Sequence, residues 1–245
     1  MSAKAFAVVA GVGPGTGAAV ARRFAKSYPV VLLARSPENF EGLAEEINKS
    51  GGKAIGISTD ISKADSVKAA FEKIEQEFKG AACAAAIFNA SGRFARGPLL
   101  ELDPEDFQAG WEVSVKGALL FSQAALPHLL KHVQADEHPP TVVFTGATAS
   151  VKSNARSAGF ATSKFALRAL SFSIAREYAP QGVHVAHAII DGVIDIPKTK
   201  EWLKGQPAEA KIGADDIAEA YWNLHTQSKR CFTNEIDIRP MLEKW

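Results

Sequence analysis

The chain enters Ala5-Phe6-Ala7-Val8-Val9-Ala10-Gly11-Val12-Gly13-Pro14-Gly15-Thr16-Gly17, six apolar residues followed by four glycines in seven positions. A continuous apolar run of this length reads as a β-strand covered on both faces. Helical periodicity begins at Thr16, so the glycine segment is the turn from a strand into a helix. Glycines there let the backbone approach a bound anion, and the first amides and positive end of the helix point at it. The plain alternative is a flexible turn. The position directly after a first strand favours a pyrophosphate loop.

Working outward, the same alternation runs nearly to the C-terminus. Apolar runs at Val30 to Ala34, Ala54 to Ser58, Cys83 to Phe88, Val142 to Thr145, Val183 to Ile190 and Glu235 to Ile238 predict six more strands. Between them, Thr16 to Ser27, Asn39 to Ser50, Lys63 to Phe78, Glu105 to His132, Ala158 to Tyr178 and Asp215 to Gln227 carry apolar residues at three- and four-residue spacing and predict helices. Leu43 with Ile47, and Val67, Phe71, Ile74 and Phe78, read as core stripes, and Gly51-Gly52 ends its helix. Strands alternating with helices define an α/β chain with a parallel sheet. Pro127 predicts a kink or break after Leu126, and Ala135 to Pro140 predicts a polar loop.

The 245 residues, 47% hydrophobic and 22% charged, fit one α/β domain over residues 1–245. With 28 basic and 27 acidic side chains and no basic block, the composition points away from nucleic acid and membrane surfaces and toward a small-molecule partner. Cys83 and Cys231 are read as free thiols, and the N-terminus lacks a signal-peptide pattern, so a cytoplasmic location is expected. His184 and His187, on a strand, and His128 and His132, on a helix, have no acidic or Cys partner that would make a metal site.

Gly11, Gly15 and Gly17 are spaced as in the short-chain dehydrogenase/reductase family, and the resemblance extends over almost the whole chain. It implies a doubly wound Rossmann-type domain, a seven-stranded parallel sheet with helices on both faces, and a nicotinamide cofactor held by Gly11, Gly13, Gly15, Thr16 and Gly17. Where relatives that prefer NAD commonly carry an acid after the second strand, this chain has Arg35 and then Ser36. A guanidinium fork there suits the 2′-phosphate of NADP, although NAD remains possible and a solvated surface arginine is the plain reading. Asp60 and Ile61 resemble the segment that contacts adenine, with a turn or cap as the alternative. Asn89-Ala90-Ser91-Gly92 resembles the family's Asn-Ala-Gly segment, in which Asn89 orders the central sheet beside the ribose.

The family's catalytic set is a tyrosine, a lysine four residues later, a serine thirteen residues before the tyrosine, and an asparagine. Here Phe160 stands at the tyrosine position, Ala147 at the serine and Ser114 at the asparagine, while Lys164 is retained. A phenyl ring cannot exchange a proton with a substrate oxygen. Thr145, Thr148, Ser150 and Ser153 are candidate substitute hydroxyls, their plain role being local capping. Asp191 replaces the proline of the family's Pro-Gly segment and is a speculative acid, or simply a turn residue. Ile194 would offer backbone groups to the carboxamide, and Ile196 stands where the family has a threonine.

Trp202, Tyr221 and Trp222 fall in the region that covers the substrate cleft in the family, Trp222 also suiting helix packing. Ala118, Leu119, Phe121, Ala124, Ala166, Leu170 and Ile174 could form the family's helical interface in a homodimer or homotetramer, or be buried against the chain's own sheet. The expectation is therefore an NADP-dependent oxidoreductase with a non-standard acid, reducing a small carbonyl, imine or related group. The alternative is a cofactor-binding protein without net redox activity.

Overall fold

A computed structural model describes residues 5–92, 94, 96–134 and 138–244. Of the predicted loop at 135–140, positions 135–137 lie outside the described residues. The first strand, β1 (Ala5–Ala10), is followed by α1 (Thr16–Ala25), β2 (Val30–Ala34), α2 (Glu41–Lys49), β3 (Ala54–Ser58), α3 (Ala64–Glu77) and β4 (Ala82–Phe88). Next come α4 (Pro104–Trp111), α5 (Gly117–Leu130), β5 (Thr141–Thr145), α6 (Ala158–Tyr178) and β6 (His184–Ile190). The chain closes with β7 (Ile194–Asp195), β8 (Ile212–Gly213), α7 (Ala214–His225) and β9 (Glu235–Ile238).

Seven strands form one sheet in the order β3-β2-β1-β4-β5-β6-β9, every pair parallel. The alternation of side chains along a strand decides which helices each residue meets. On β1, Phe6, Val8 and Ala10 face a core completed by α3, α5 and α6, with Phe71, Phe121 and Leu167 among its members. Ala7 and Val9 face the other core, completed by α1, α2 and α7 through Phe24, Leu43 and Tyr221. Burial of each such large side chain contributes roughly 1.5–3 kcal/mol before conformational entropy is charged against it.

Strand order reverses between β1 and β4, and at such a point the loops leaving the strands' carboxyl ends splay apart and open a crevice. β7 and β8, a separate two-stranded ribbon, are too short to stand out in the sequence. The predicted break after Leu126 does not occur: α5 continues to Leu130 with Pro127 inside it. Pro127 and Gln123, whose carbonyl loses its donor, are both exposed, so water can serve that carbonyl. The irregularity lies earlier, at Glu112–Lys116, where the long helix makes one π turn between α4 and α5. Such turns mark functional sites disproportionately, and this one carries Ser114.

Candidate active site

The crevice is a cleft of about 390 Å³ lined by the carboxyl ends of β1 to β4 and the loops that follow. Gly11 forms its floor. Its φ is +85°, and a Cβ there would lie 2.4 Å from the Ala90 amide nitrogen, so both conformation and contact require glycine. Gly17, in the first turn of α1, is equally confined, with the Gly11 carbonyl 2.6 Å from where its Cβ would stand. Gly13 faces open space, the nearest atom being Asn39 Oδ1 at 4.0 Å. Thr16 begins α1, whose first turn carries neither an acidic residue nor a side-chain cap, leaving its positive end suited to an anion. The loop therefore fits a pyrophosphate. Gly15 lies against Ile196, which approaches it from the segment after β7.

At the far end, Arg35, Ser36 and Asn39 line the cleft together with Thr59, Asp60 and Ile61. The Arg35 carbonyl accepts the Ser58 hydroxyl at 2.7 Å, which ties β2 to β3 and leaves the exposed guanidinium to the rim. Partial burial pushes the Asp60 carboxyl upward, but hydrogen bonds from the Ser62 hydroxyl and amide and the charges of Arg35 and Lys63 outweigh it, and its pKa lies below the ordinary value. Asp60 also begins a turn that leads into α3, so it has the structural role foreseen beside the binding one. Asn89 donates from Nδ2 to the Gly11 carbonyl at 2.9 Å, pinning β4 to the glycine loop, and Ala90 lies against Gly11. Leu33, Asn39, Thr59 and Val113 also line it without having been singled out from sequence; Leu33 and Thr59 share with Arg35 and Asp60 a place at or just beyond a strand's carboxyl end, the signal that could have found them.

Toward β5 and β6 the site changes character. Lys164, on α6, is buried and donates from Nζ to the Thr145 carbonyl at 3.0 Å. Burial pushes its pKa down to about 8. Phe160 lies one turn earlier with its ring centroid 5.7 Å from Lys164 Nζ, and the edge or face of Phe94 meets that ring at right angles, centroids 4.7 Å apart. Ala147, at the serine position, leads into a short 3-10 turn in which the Ser150 hydroxyl accepts from the Ala147 amide. Ser114 Oγ accepts from the Gly92 amide at 3.0 Å, so its hydroxyl braces the loop after β4.

Of the other hydroxyls, Thr145 accepts from Tyr221 at 2.9 Å and Ser150 is fully buried, while Ser153 is exposed. Thr148 donates to the Asp191 carboxylate. Asp191 in turn is paired with Arg239 Nη1 at 2.9 Å, and the same guanidinium holds Asp237. Sequence gave no sign of this group, because Arg239 sits beyond β9, far from Asp191 along the chain. Ile194 pairs with Ile212, and its carbonyl accepts the Thr199 hydroxyl.

The aromatic residues foreseen over the cleft are distributed differently. Tyr221 is fully buried under β5, and Trp222 packs against Phe24, Tyr28 and His225 with Arg23 over its ring; Trp202 is half-exposed on the segment after β7. Both α7 residues face inward because their helix lies against α1, which consumes that face. Among the described residues no group of three or more His, Cys, Asp or Glu is arranged to hold a metal ion. His184 bonds the carbonyls of Leu224 and Thr233; His187 bonds Glu235 through Nδ1 and leaves Nε2 buried against Gly146. Burial pushes His187 down to about 4, against the pull of Glu235, and His225 down to about 3.

A parallel sheet with its order reversed at a cleft floored by Gly11, with a glycine-rich turn opening α1 beside it and a buried lysine on α6, is the arrangement of an α/β protein of the nucleotide-binding dehydrogenase type. A model of the family described as short chain dehydrogenase matches residues 5–207, and the chain belongs to that family, a class of oxidoreductases. A short-chain dehydrogenase from Rhodopseudomonas palustris is 32% identical, with 97% of this chain and 99% of that one covered and a TM-score of 0.79. An alcohol dehydrogenase from the archaeon Thermococcus sibiricus, solved with 5-hydroxy-NADP, is 26% identical over 98% of both chains with a TM-score of 0.83. An uncharacterized oxidoreductase of Staphylococcus aureus strain USA300 is 27% identical over 96% of each.

Proposed function

We propose that residues 1–245 form a single NAD(P)-binding domain that uses NADP(H) in preference to NAD(H) and reduces a small organic carbonyl, imine or related group. The observation that carries the reading is Arg35 at the ribose end of the cleft, beside Ser36 and Asn39, where an acidic residue would instead suit an unphosphorylated ribose. The archaeal relative solved with an NADP derivative supports it. Gly11, Gly13, Gly15, Thr16 and Gly17 would hold the pyrophosphate, Asp60 and Ile61 the adenine side, and Asn89, Ala90 and Lys164 the nicotinamide ribose, with Ile194 near the carboxamide. The cofactor, when bound, supplies a hydride.

The chain's own residues must then deal with the proton. Phe160 and Ala147 offer none. Asp191, clasped by Arg239, suits an accepting carboxylate that orients the Thr148 hydroxyl better than it suits proton donation. Thr148, one residue after the serine position, gives its single proton to Asp191, which leaves its oxygen to accept from an iminium N–H and not to donate to a carbonyl oxygen. Lys164, with its pKa near 8, can carry a proton in this site at neutral pH. An iminium substrate needs no proton donor, which favours it over a simple ketone.

The test is a titration with NADPH, NADH and NADP⁺ alongside Arg35→Ala. Micromolar NADPH binding that weakens on loss of Arg35 is expected; failure of all three nucleotides to bind would sink the proposal. A second reading, a cofactor-binding protein without net redox chemistry, draws on the joint replacement at 114, 147 and 160. It requires that no activated carbonyl or iminium compound be reduced although NADPH binds.

A cytoplasmic location and a homodimer or homotetramer belong to the same proposal. Among the described residues no helix is long and apolar enough to cross a membrane. Ala118, Phe121 and Ile174 are buried in the chain's own core, so of the residues suggested for an interface Leu119, Ala124, Ala166 and Leu170 retain exposed surface.

A further inference from the structure

Resting on the oxidoreductase reading, the inference concerns what enters the substrate side of the cleft. Two loops meet there, one after β4 and one after β5, joined by a hydrogen bond from the Gly97 amide to the Arg156 carbonyl at 3.0 Å. They belong to stretches without acidic residues: none occurs from Phe78 to Leu100, and none from His138 to Arg176. In a chain with almost equal numbers of acidic and basic residues, these loops carry Arg96, Lys152 and Arg156, all exposed, and among the described residues none of the three is in an ion pair.

Arg96 is also tied to the catalytic position. Its guanidinium lies 5.9 Å from the centre of the Phe94 ring, Phe94 stands at right angles to Phe160, and Lys164 Nζ lies 5.7 Å beyond the Phe160 ring. A column thus runs from a surface cation through two aromatic rings to the buried lysine. Phe94 is 49% exposed, a large apolar surface left open above the position where the family has its acid. An exposed ring beside a partly buried one, adjoining unpaired cations, complements a ligand with a flat apolar body and a negative charge at one end.

We infer that the substrate is of this class, an unsaturated or aromatic compound bearing a carboxylate or phosphate, with its apolar part against Phe94 and Phe160 and its anion at Arg96, Lys152 and Arg156. The arrangement carries the ligand by charge at the rim and by ring contact inside. Arg156 has a φ of +68°, so its replacement in a test should tolerate the left-handed region.

The test measures calorimetric binding of 1-naphthoate, 1-naphthalenemethanol and acetate, with and without NADPH, to the protein, to Arg96→Gln/Arg156→Asn and to Phe94→Ala. Naphthoate should bind about tenfold or more tighter than the alcohol at low salt, and the preference should shrink as salt rises. The double variant should abolish the preference, and Phe94→Ala should weaken both naphthalene compounds while leaving their ratio. Equal binding of the two, or a preference that survives the double variant and Lys152→Gln, would overturn the inference, as would acetate binding as tightly as naphthoate. NADPH titrations of the same samples separate the two readings. Nucleotide binding without the charge preference counts against this inference alone, whereas the preference without nucleotide binding counts against the proposed function alone.

Discussion

The two halves of the cleft have been treated differently. Around β1 to β4, each position that the family resemblance assigns to the cofactor carries a residue able to do the work, and the structure brings Gly11, Arg35, Ser36, Asp60, Ile61, Asn89 and Ala90 around one cavity. Around β5 and β6, the positions that the resemblance assigns to the tyrosine and the serine carry Phe160 and Ala147, neither with a proton to give, while an ion-paired group, Thr148-Asp191-Arg239, occupies the neighbourhood. Glycine at 11 and 17 is demanded by backbone contact, so fold and cofactor site stand or fall together there. The catalytic hydroxyls project from a frame that holds without them: Phe160 packs on Phe94 and Ala147 keeps its turn. A scaffold can therefore preserve a nucleotide site while its chemistry is rewritten.

The largest test of that contrast is to restore the lost groups. Phe160→Tyr with Ala147→Ser should raise reduction of simple ketones by roughly 10²–10⁴, the usual contribution of a positioned general acid. Single-turnover NADPH oxidation at 340 nm would measure it. No gain with undiminished NADPH binding would mean that the substrate half no longer presents a carbonyl to the nicotinamide, and the second functional reading would gain.

The complementary change breaks the other half. Gly11→Val places a Cβ within 2.5 Å of the Ala90 backbone at a positive φ, and should destabilise the protein by roughly 3 kcal/mol or more while abolishing nucleotide binding. Urea unfolding checks the first and fluorescence titration the second. A variant that folds normally and still binds NADPH would show that the loop is not the rigid floor described above.

Arg35→Ala sharpens the contrast within the cofactor half. Loss of charge-assisted hydrogen bonds to a 2′-phosphate should weaken NADPH binding about tenfold to a hundredfold, corresponding to roughly 1.5–3 kcal/mol, and leave NADH nearly unchanged. Equal weakening of both, read by calorimetry, would move Arg35 from phosphate selection to general support of the loop between β2 and β3.

What could be read from sequence follows the same division. Strands buried on both faces announce themselves as apolar runs, and the six helices by their period, because both signals are local. The glycine loop and Arg35 are legible for the same reason. The π turn at Glu112–Lys116 is not, since nothing in the local order of its residues separates it from an ordinary helical turn. Pro127 does not end its helix because its cost depends on whether the bereaved carbonyl reaches water, a tertiary matter. The Asp191–Arg239 pair and the Phe94–Phe160 contact join distant segments, and no local pattern encodes them.

Acid supplies the smallest and most regional effect. His187 and His225 are buried beneath the substrate half, with pKa values held down to about 4 and about 3, so the folded state takes up protons less readily than the unfolded chain, whose histidines titrate near 6.5. Above pH 6.5 neither state is charged at these positions and no penalty arises. As pH falls below it the unfolded chain binds protons that the folded protein refuses, and stability declines until the folded-state values are reached. Each histidine should cost about 1 kcal/mol between pH 6.5 and 5.5. His187 bonds Glu235 on β9, which places its share of the loss at that edge of the sheet, while His225 lies between Thr141 on β5 and Tyr28 just ahead of β2. Hydrogen exchange at pH 5.5 should therefore show β6 and β9 losing protection before β3 at the opposite edge, and His225→Gln should flatten the acid limb of the unfolding curve. Uniform loss across all seven strands would mean that the sheet opens only as a whole, and that the division between the two halves is chemical without being mechanical.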